Sequence, residues 1–352
     1  MKRVLFVILF AGTWLQGYSQ APSCAQTLRL ARSTYEQGRL HELESILNPC
    51  LASGFTTEEK VEAYKLLTLT YIYLEEPKKA DEAMAKVLET DHFFQINPEI
   101  DPAEFVALYN TFRTDPVYSV GFKFGPSVIL PAVVNDYYTA ADAAGTGKYA
   151  PGIGIQAGLT FEMKLFDKFS IAPELIFATR QYSEESLLFS HDSTETTEGL
   201  NELVYKQQWL DLNAVVQYEI TRNKANTFAT YVGLGPSASY RLNQKSQLNT
   251  TGLSGSAVSG ADVDVTDSFK NFFFSVTAIA GLKYRIGEIF VHAELRYQHG
   301  LTNIINPETR TNSEVVLDYA GQFNDTRLSS LTGALGVSYP IFKPAKLKIK
   351  TK

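Results

Sequence analysis

Two hydrophobic periods divide this chain near Asp115-Pro116. From Cys24 to about Phe112 the apolar residues recur at helical spacing. Leu28, Ala31 and Tyr35 form one stripe, and Leu40, Leu43, Ile46 and Leu47 form the next after a break at Gly38. The pattern predicts helices over about 23–37 and about 39–48. Thr56 or Thr57 caps a third helix with Val61, Tyr64, Leu67, Thr68 and Tyr71 on its face. Pro77 opens a fourth, packed through Ala80, Ala83, Met84, Val87 and Leu88. Asp101-Pro102 announces a fifth, about 102–112.

After Asp115-Pro116 the period becomes two, the mark of strands with unlike faces. In 289–297, Ile289, Val291, Ala293, Leu295 and Tyr297 oppose Phe290, His292, Glu294 and Arg296. Segments 153–164 and 210–219 alternate in the same way, and about 117–130, 168–181, 227–241, 269–285 and 328–341 complete eight strands. Most reach ten residues or more. That length suits tilted bilayer-crossing strands of about 9–11 residues better than the five or six usual in soluble sheets.

The connections alternate in length. Short ones are Phe166-Asp167-Lys168, the segment from Arg222 to Asn226, and Ile286-Gly287-Glu288. Long, polar ones cover about 131–149, 183–202, 243–268 and 301–327. Tight periplasmic turns and long external loops are the asymmetry of outer-membrane barrels. The first long loop follows the first strand, so the N-terminal domain and the tail are expected on the periplasmic side.

The polar face could be the solvated outside of a soluble barrel that is apolar within, and it is the aromatics on the other face that decide against that alternative. The polar face carries Lys123, Glu162, Lys164, Glu174, Arg180, Asp211, Glu219, Lys283, Arg285, His292, Glu294 and Arg296, a nearly balanced set expected to pair inside a lumen. The aromatic content, 19 Tyr and 22 Phe, finds its place on the other face. Tyr118, Phe124, Phe161, Phe169, Phe177, Tyr218, Phe228, Tyr240, Tyr284, Tyr297, Tyr339 and Phe342 fall near strand ends, as interfacial girdles do. Eight strands leave room only for the barrel's own side chains. Inward glycines, among them Gly121, Gly125, Gly281 and Gly336, relieve crowding there.

The expected class is an α+β membrane protein: an eight-stranded antiparallel up-and-down transmembrane β-barrel preceded by a small all-α domain. Lys2 and Arg3 before an apolar run from Val4 to Leu15, then Gly17-Tyr18-Ser19, read as a signal peptide of residues 1–19. A lipidated Cys24 is the competing reading. A helical domain follows over 20–114, then the barrel over 115–342 and a basic tail over 343–352. Five residues at most join Phe112 to the first strand, so the helical domain is expected close under the barrel mouth. Cys24 and Cys50, in an exported chain, read as a disulfide. Two antiparallel helices bring them to the same end, and the bridge would stabilise by about 3.5 kcal/mol.

The run Tyr73 to Leu88 echoes Tyr35 to Leu47, and this helix pair resembles the tetratricopeptide type, although the usual Trp-Leu-Gly start is missing. In the barrel, Phe169-Ser-Ile-Ala-Pro-Glu-Leu-Ile-Phe, Tyr231-Val-Gly-Leu-Gly-Pro and Gly281-Leu-Lys-Tyr resemble the PorT-type outer-membrane barrel domain common in Bacteroidota. The resemblance covers about 117–342. It implies outer-membrane location and, for some members, a place in type IX secretion and gliding machinery.

The net charge of −6 without a basic patch argues against nucleic acid as a partner. No Gly-x-Ser-x-Gly, His-Glu-x-x-His, phosphate-binding glycine loop or Cys-x-x-Cys occurs, so no catalytic residue, metal or cofactor is expected. His292 beside Glu294 and Arg296 offers a proton-handling cluster, with a plain lumen network as the alternative. His191 falls in an external loop. Asp262, Asp264 and Asp267 alternate as calcium ligands can, but lack the glycine and closing Glu of a calcium hand. The expected partners are outer-membrane lipid and a protein of the periplasm or outer membrane. The expected role is a non-enzymatic anchor for a periplasmic docking module; the alternative is a narrow channel or surface receptor working through the long loops.

Overall fold

The computed structural model describes residues 23–135, 137, 148–166, 168–187, 200–223, 226–251, 257–309 and 323–347. The segment 1–19 read as a signal peptide, His191 and the last five residues lie outside them. Two compact units divide the chain: one runs up to Asp115 and takes in residues from Phe342 onward, and the other is Pro116–Ile341.

The helical unit holds α1 (Cys24–Glu36), α2 (Leu43–Ala52), α3 (Thr57–Tyr73), α4 (Pro77–Thr90) and α5 (Ala103–Tyr109). α1 and α3 open on reciprocal capping boxes, Ser23 with Gln26 and Thr56 with Glu59, the second at the predicted cap. The second helix departs from expectation. Gly38, at φ +76°, and a 3-10 turn over Leu40–Glu42 delay it, and it then runs through Pro49 to Ala52. Proline is a poor guide there because Leu47 and Cys50, both buried, hold the turn around it in the core. α3 is also more central than a single stripe implies, since Leu66 to Tyr71 are all buried. Its buried threonines are satisfied by their own helix: Thr68 Oγ1 donates to Tyr64 O and Thr70 Oγ1 to Leu66 O, each at 2.8 Å. Ala80 and Ala83 of α4 pack into the same core. A bridge joins Cys24 and Cys50, with Cα atoms 5.6 Å apart.

The C-terminal segment belongs to this unit. Arg113 N donates to Ala345 O at 3.0 Å and Leu347 N to Thr111 O at 2.7 Å. Phe342, expected in the aromatic girdle, instead stacks on His92 at 4.9 Å and meets Phe93 edge-on at 5.1 Å. The chain leaves the sheet at Ile341, so its ring follows the helical unit.

The second unit contains β1 (Tyr118–Asn135), β2 (Lys148–Ala150), β3 (Gly152–Lys164), β4 (Phe169–Leu187), β5 (Leu200–Arg222), β6 (Phe228–Thr251), β7 (Ala257–Asp264), β8 (Phe272–Ile286), β9 (Ile289–Gly300) and β10 (Asp325–Ile341). Eight of these close into a ring, β1-β3-β4-β5-β6-β8-β9-β10, because β1 pairs with both β3 and β10. Every pairing is antiparallel. The two others are additions, β2 beside β4 and β7 beside β6. Closure removes the free edges that an open sheet would expose.

The strand ends overrun the predicted loops. β4 continues to Leu187, β5 begins at Leu200, and β6 runs to Thr251. Segments 131–149, 183–202 and 243–268 therefore contain strand as well as connection. A run such as Asn243 to Thr251 shows no apolar alternation because it lacks an apolar face. Its backbone pairs with β5 on one side and β7 on the other instead.

At the opposite end the connections are tight. Ile286 pairs with Ile289 across Gly287, whose φ of +61° suits a two-residue hairpin. In the next hairpin Asn223 Oδ1 accepts from Thr227 N at 2.8 Å and Phe228 N at 2.9 Å, closing the loop through its side chain. The two faces alternate as predicted. On β1, Gly121, Lys123, Gly125, Ser127 and Ile129 are buried while Val120, Phe122, Phe124 and Val128 are exposed.

Candidate functional site

The inward face of the ring is a column of charges between antiparallel strands. Each side chain enters by strand parity: Lys123 from β1, Glu174 from β4, Glu294 and Arg296 from β9. All four are at least 95 % buried. Lys123 Nζ lies 2.8 Å from Glu174 Oε1 and 2.6 Å from Glu294 Oε1. Arg296 Nη1 donates to Glu294 Oε2 at 2.9 Å and to Glu174 Oε1 at 3.1 Å, while its Nη2 takes the second oxygen of Glu174. Asn213 Nδ2, at 3.2 Å, and the Tyr231 hydroxyl complete the shells of the two carboxylates. Two cations and two anions thus neutralise one another, and a buried charge is tolerated only in such company.

Further pairs lie on either side of this tier. Arg180 Nη2 meets Asp211 Oδ2 at 2.6 Å. Lys283 pairs with Glu162 and stands 4.7 Å over the Tyr231 ring. His292 Nε2 and Ser338 Oγ share a hydrogen bond of 2.6 Å, while Nδ1 has no partner among the described residues. His292 is thus bound to a hydroxyl and not to Glu294 or Arg296. Glu219 turns to Arg222 three residues on instead of crossing the lumen. Lys164 and Arg285 are half-buried near the same short-turn end.

Beyond Arg180 the lumen is closed by apolar rings, which the polar-face reading did not anticipate. Tyr182, Tyr205, Trp209, Phe269, Phe273, Ile304, Ile305 and Phe323 form a buried cluster. Trp209 meets Phe273 edge-on at 4.9 Å, and Tyr182 stacks on Tyr205 at 4.7 Å. The Arg180 guanidinium lies 5.4 Å from the Trp209 ring and 5.0 Å from that of Phe273, so cation–π contacts join plug to charge column. The signal was present in the parity: Tyr182 continues Arg180, and Trp209 continues Asp211.

Between these tiers a cavity bounded by Gln156, Asp211, Arg296, Gln298 and Thr332 has about 10 Å³ of free volume. That is room for about one water molecule. Two of the three suggested calcium ligands are otherwise engaged: Asp262 Oδ1 pairs with Lys206 Nζ at 2.8 Å, and Asp264 Oδ1 accepts from Thr266 N at 2.9 Å.

The outward face is apolar. Phe124, Phe169, Phe177, Tyr218, Phe228, Tyr240, Tyr284, Tyr297 and Tyr339 are exposed there among Ile155, Leu159, Leu175, Leu212, Leu234, Leu295 and Leu335. Such a belt has no place in water and fits the hydrocarbon layer of a bilayer.

A family model described as an outer membrane protein beta-barrel domain matches residues 116–306. Among solved structures, Neisserial surface protein A is 10% identical; 64% of this chain and 97% of that chain are covered, with a TM-score of 0.33. OprG from Pseudomonas aeruginosa is 14% identical, with 65% and 98% covered and a TM-score of 0.38. The outer membrane protease OmpT from Escherichia coli is 8% identical, with 64% and 96% covered and a TM-score of 0.26. No curated protein matches the chain. With more than half of its 352 residues matched by the family model, this chain belongs to the outer membrane protein beta-barrel domain family.

Proposed function

We propose that the barrel is a filled, non-enzymatic anchor that holds the helical unit in the periplasm as a docking module for an envelope complex. The observation that carries this reading is the lumen. The Lys123–Glu174–Glu294–Arg296 tier and the Trp209–Phe273 plug fill the interior with mutually satisfied groups. An interior so filled offers no path for solute, and the charges of this tier are committed to one another rather than poised for chemistry. Periplasmic placement is supported by the topology: β1 begins and β10 ends at the short-turn end of the sheet.

The helix pairs of the helical unit are of the tetratricopeptide-like kind, and such helical repeats dock proteins or peptides. PorT-type barrels of Bacteroidota, which the strand motifs resemble, point to secretion or gliding machinery as the class of complex.

Two measurements test the proposal. Full-length protein in a planar bilayer is expected to pass no steady current; an ion-selective current overturns the filled-barrel reading in favour of a channel. Affinity purification after mild detergent extraction is expected to recover a protein partner that deletion of residues 24–112 removes. Retention of every partner by the deletion variant overturns the docking role.

A further inference from the structure

The apolar belt stops abruptly on one part of the wall. Along β4 the outward residues pass from Phe177 to Thr179 and Gln181, and along β5 from Leu212 and Leu210 to Gln208 and Lys206. On β6 a register shift lets Gln208 pair with Asn243 and Trp209 with Arg241, so that Leu242 is skipped and Asn243 joins the outward face. The result is two cross-strand rows, Thr179–Gln208–Asn243 and Gln181–Lys206–Lys245. They line a groove of about 270 Å³, with Ile153 of β3 at its border.

Lys206 and Lys245 face each other directly across paired strands, an arrangement that is destabilising unless an anion joins them. Lys206 has one carboxylate, Asp262 at 2.8 Å, and also donates to Gln247 Oε1 at 2.8 Å. Lys245 pairs in register with Asp264, whose Oδ1 accepts from Thr266 N; it makes no ion pair within 4 Å among the described residues but lies in the field of both Asp262 and Asp264. No carboxylate lines the groove itself, which also borders Arg180. The side-chain amides of Gln181, Gln208 and Asn243 make no hydrogen bond among the described residues, so they stand as donors beside two ammonium groups.

We propose that this groove binds the phosphate of a phosphorylated glycolipid headgroup in the external leaflet. It lies where the hydrocarbon-facing ladder ends, at the depth of lipid headgroups. Ammonium and amide donors in a groove whose lining holds no carboxylate suit a phosphate with several acceptor oxygens, which competes with Asp262 for Lys206. The acyl chains of the same molecule then run down the wall over Phe177, Leu212 and Leu242, which are 40%, 59% and 50% exposed. The leaflet rests on the orientation given under Proposed function; the phosphate chemistry does not.

Native mass spectrometry of the full-length protein in detergent tests the site, with bisphosphorylated lipid A, the same lipid dephosphorylated, and phosphatidylglycerol as probes. Wild-type protein is expected to retain bisphosphorylated lipid A in preference to both others. Lys245→Gln, which breaks no ion pair, is expected to weaken retention about fivefold, and Lys206→Gln with Lys245→Gln about twentyfold. Equal retention of the dephosphorylated lipid, or an unchanged double variant, overturns the proposal. Phosphatidylglycerol held as tightly through the same lysines overturns the external-leaflet assignment. Heat-modifiable gel mobility of each variant reports barrel formation separately, and protease access to the helical unit in intact cells reports orientation. Failure of the lipid site is thereby distinguished from failure of the barrel or of its placement.

Discussion

Glu174 and Arg296 stand 122 residues apart in sequence and meet inside the barrel through two parallel hydrogen bonds, one of them 3.1 Å long. Such fork-to-fork pairing is the strongest geometry an arginine and a carboxylate adopt. Lys123 and Glu294 close the square around them. Removing Glu174 alone leaves Arg296 and Lys123 sharing one carboxylate in a buried place. Glu174→Ala is expected to cost about 3–5 kcal/mol. Urea unfolding in detergent, followed by the fluorescence of the buried Trp209, measures it. Replacing Glu174 and Arg296 together by leucine is expected to cost much less than the single change. A double variant as unstable as Glu174→Ala sinks the argument that uncompensated charge is what matters.

The central tier also depends on a missing side chain. A Cβ at Gly281 would lie 2.7 Å from the Tyr231 ring and 2.9 Å from Glu294 Cγ. Gly281→Ala must therefore displace the tyrosine that caps Glu294, at a cost of about 1–3 kcal/mol. Gly333 is the control, because a Cβ there meets nothing within 4 Å. Gly333→Ala is expected to change the urea midpoint by less than about 0.5 kcal/mol. Equal effects at the two positions contradict the packing account.

In the helical unit, Cys24 and Cys50 tie the first turn of α1 to the end of α2. The chain-entropy model gives the bridge about 3.5 kcal/mol. Reductant is expected to lower the thermal transition seen at 222 nm by circular dichroism and to leave the Trp209 fluorescence transition where it was. Movement of both transitions together would show that the two cores unfold as one. Gly54 adds a second probe, since its φ is +128° and a Cβ there would sit 2.6 Å from Cys24 Sγ. Gly54→Ala is expected to destabilise the unit even under oxidising conditions.

How far these features were legible depended on whether a side chain had to take sides. Strands that separate lipid from lumen must alternate, so the stretches 153–164, 210–219 and 289–297 declared themselves. The charge column followed from the same parity: Lys123, Glu174, Arg180, Asp211, Glu294 and Arg296 all reach the interior. Past the bilayer the constraint lapses, and Asn243 to Thr251 pairs as strand without any hydrophobic signal. The plug escaped for a different reason. Tyr182 and Trp209 were hidden because aromatics on a polar face look like exceptions until parity is carried beyond the membrane. Glu219 pairs with Arg222 in its own turn, a local contact on which parity is silent. Phe342 looked like one more strand-end aromatic, whereas the ring packs on His92 and Phe93.

That last contact yields a prediction about the tail. The segment from Phe342 to Leu347 is held by two backbone hydrogen bonds to Thr111 and Arg113, by the Phe342 stack, and by Lys346 with Asp81 at 2.7 Å. These holds are unequal. The Lys346–Asp81 pair is largely solvent-exposed, so Lys346→Ala is expected to cost no more than about 1 kcal/mol. Phe342 is half-buried, and Phe342→Ala should cost about 1–2 kcal/mol, less than the 3–5 of a fully buried ring. Deleting residues 343–352 removes the acceptor of the Arg113 amide. Hydrogen exchange at Arg113 should then rise to that of an open amide while α3 and α4 stay protected. If Arg113 remains protected without the tail, the segment merely lies on the unit and does not brace it.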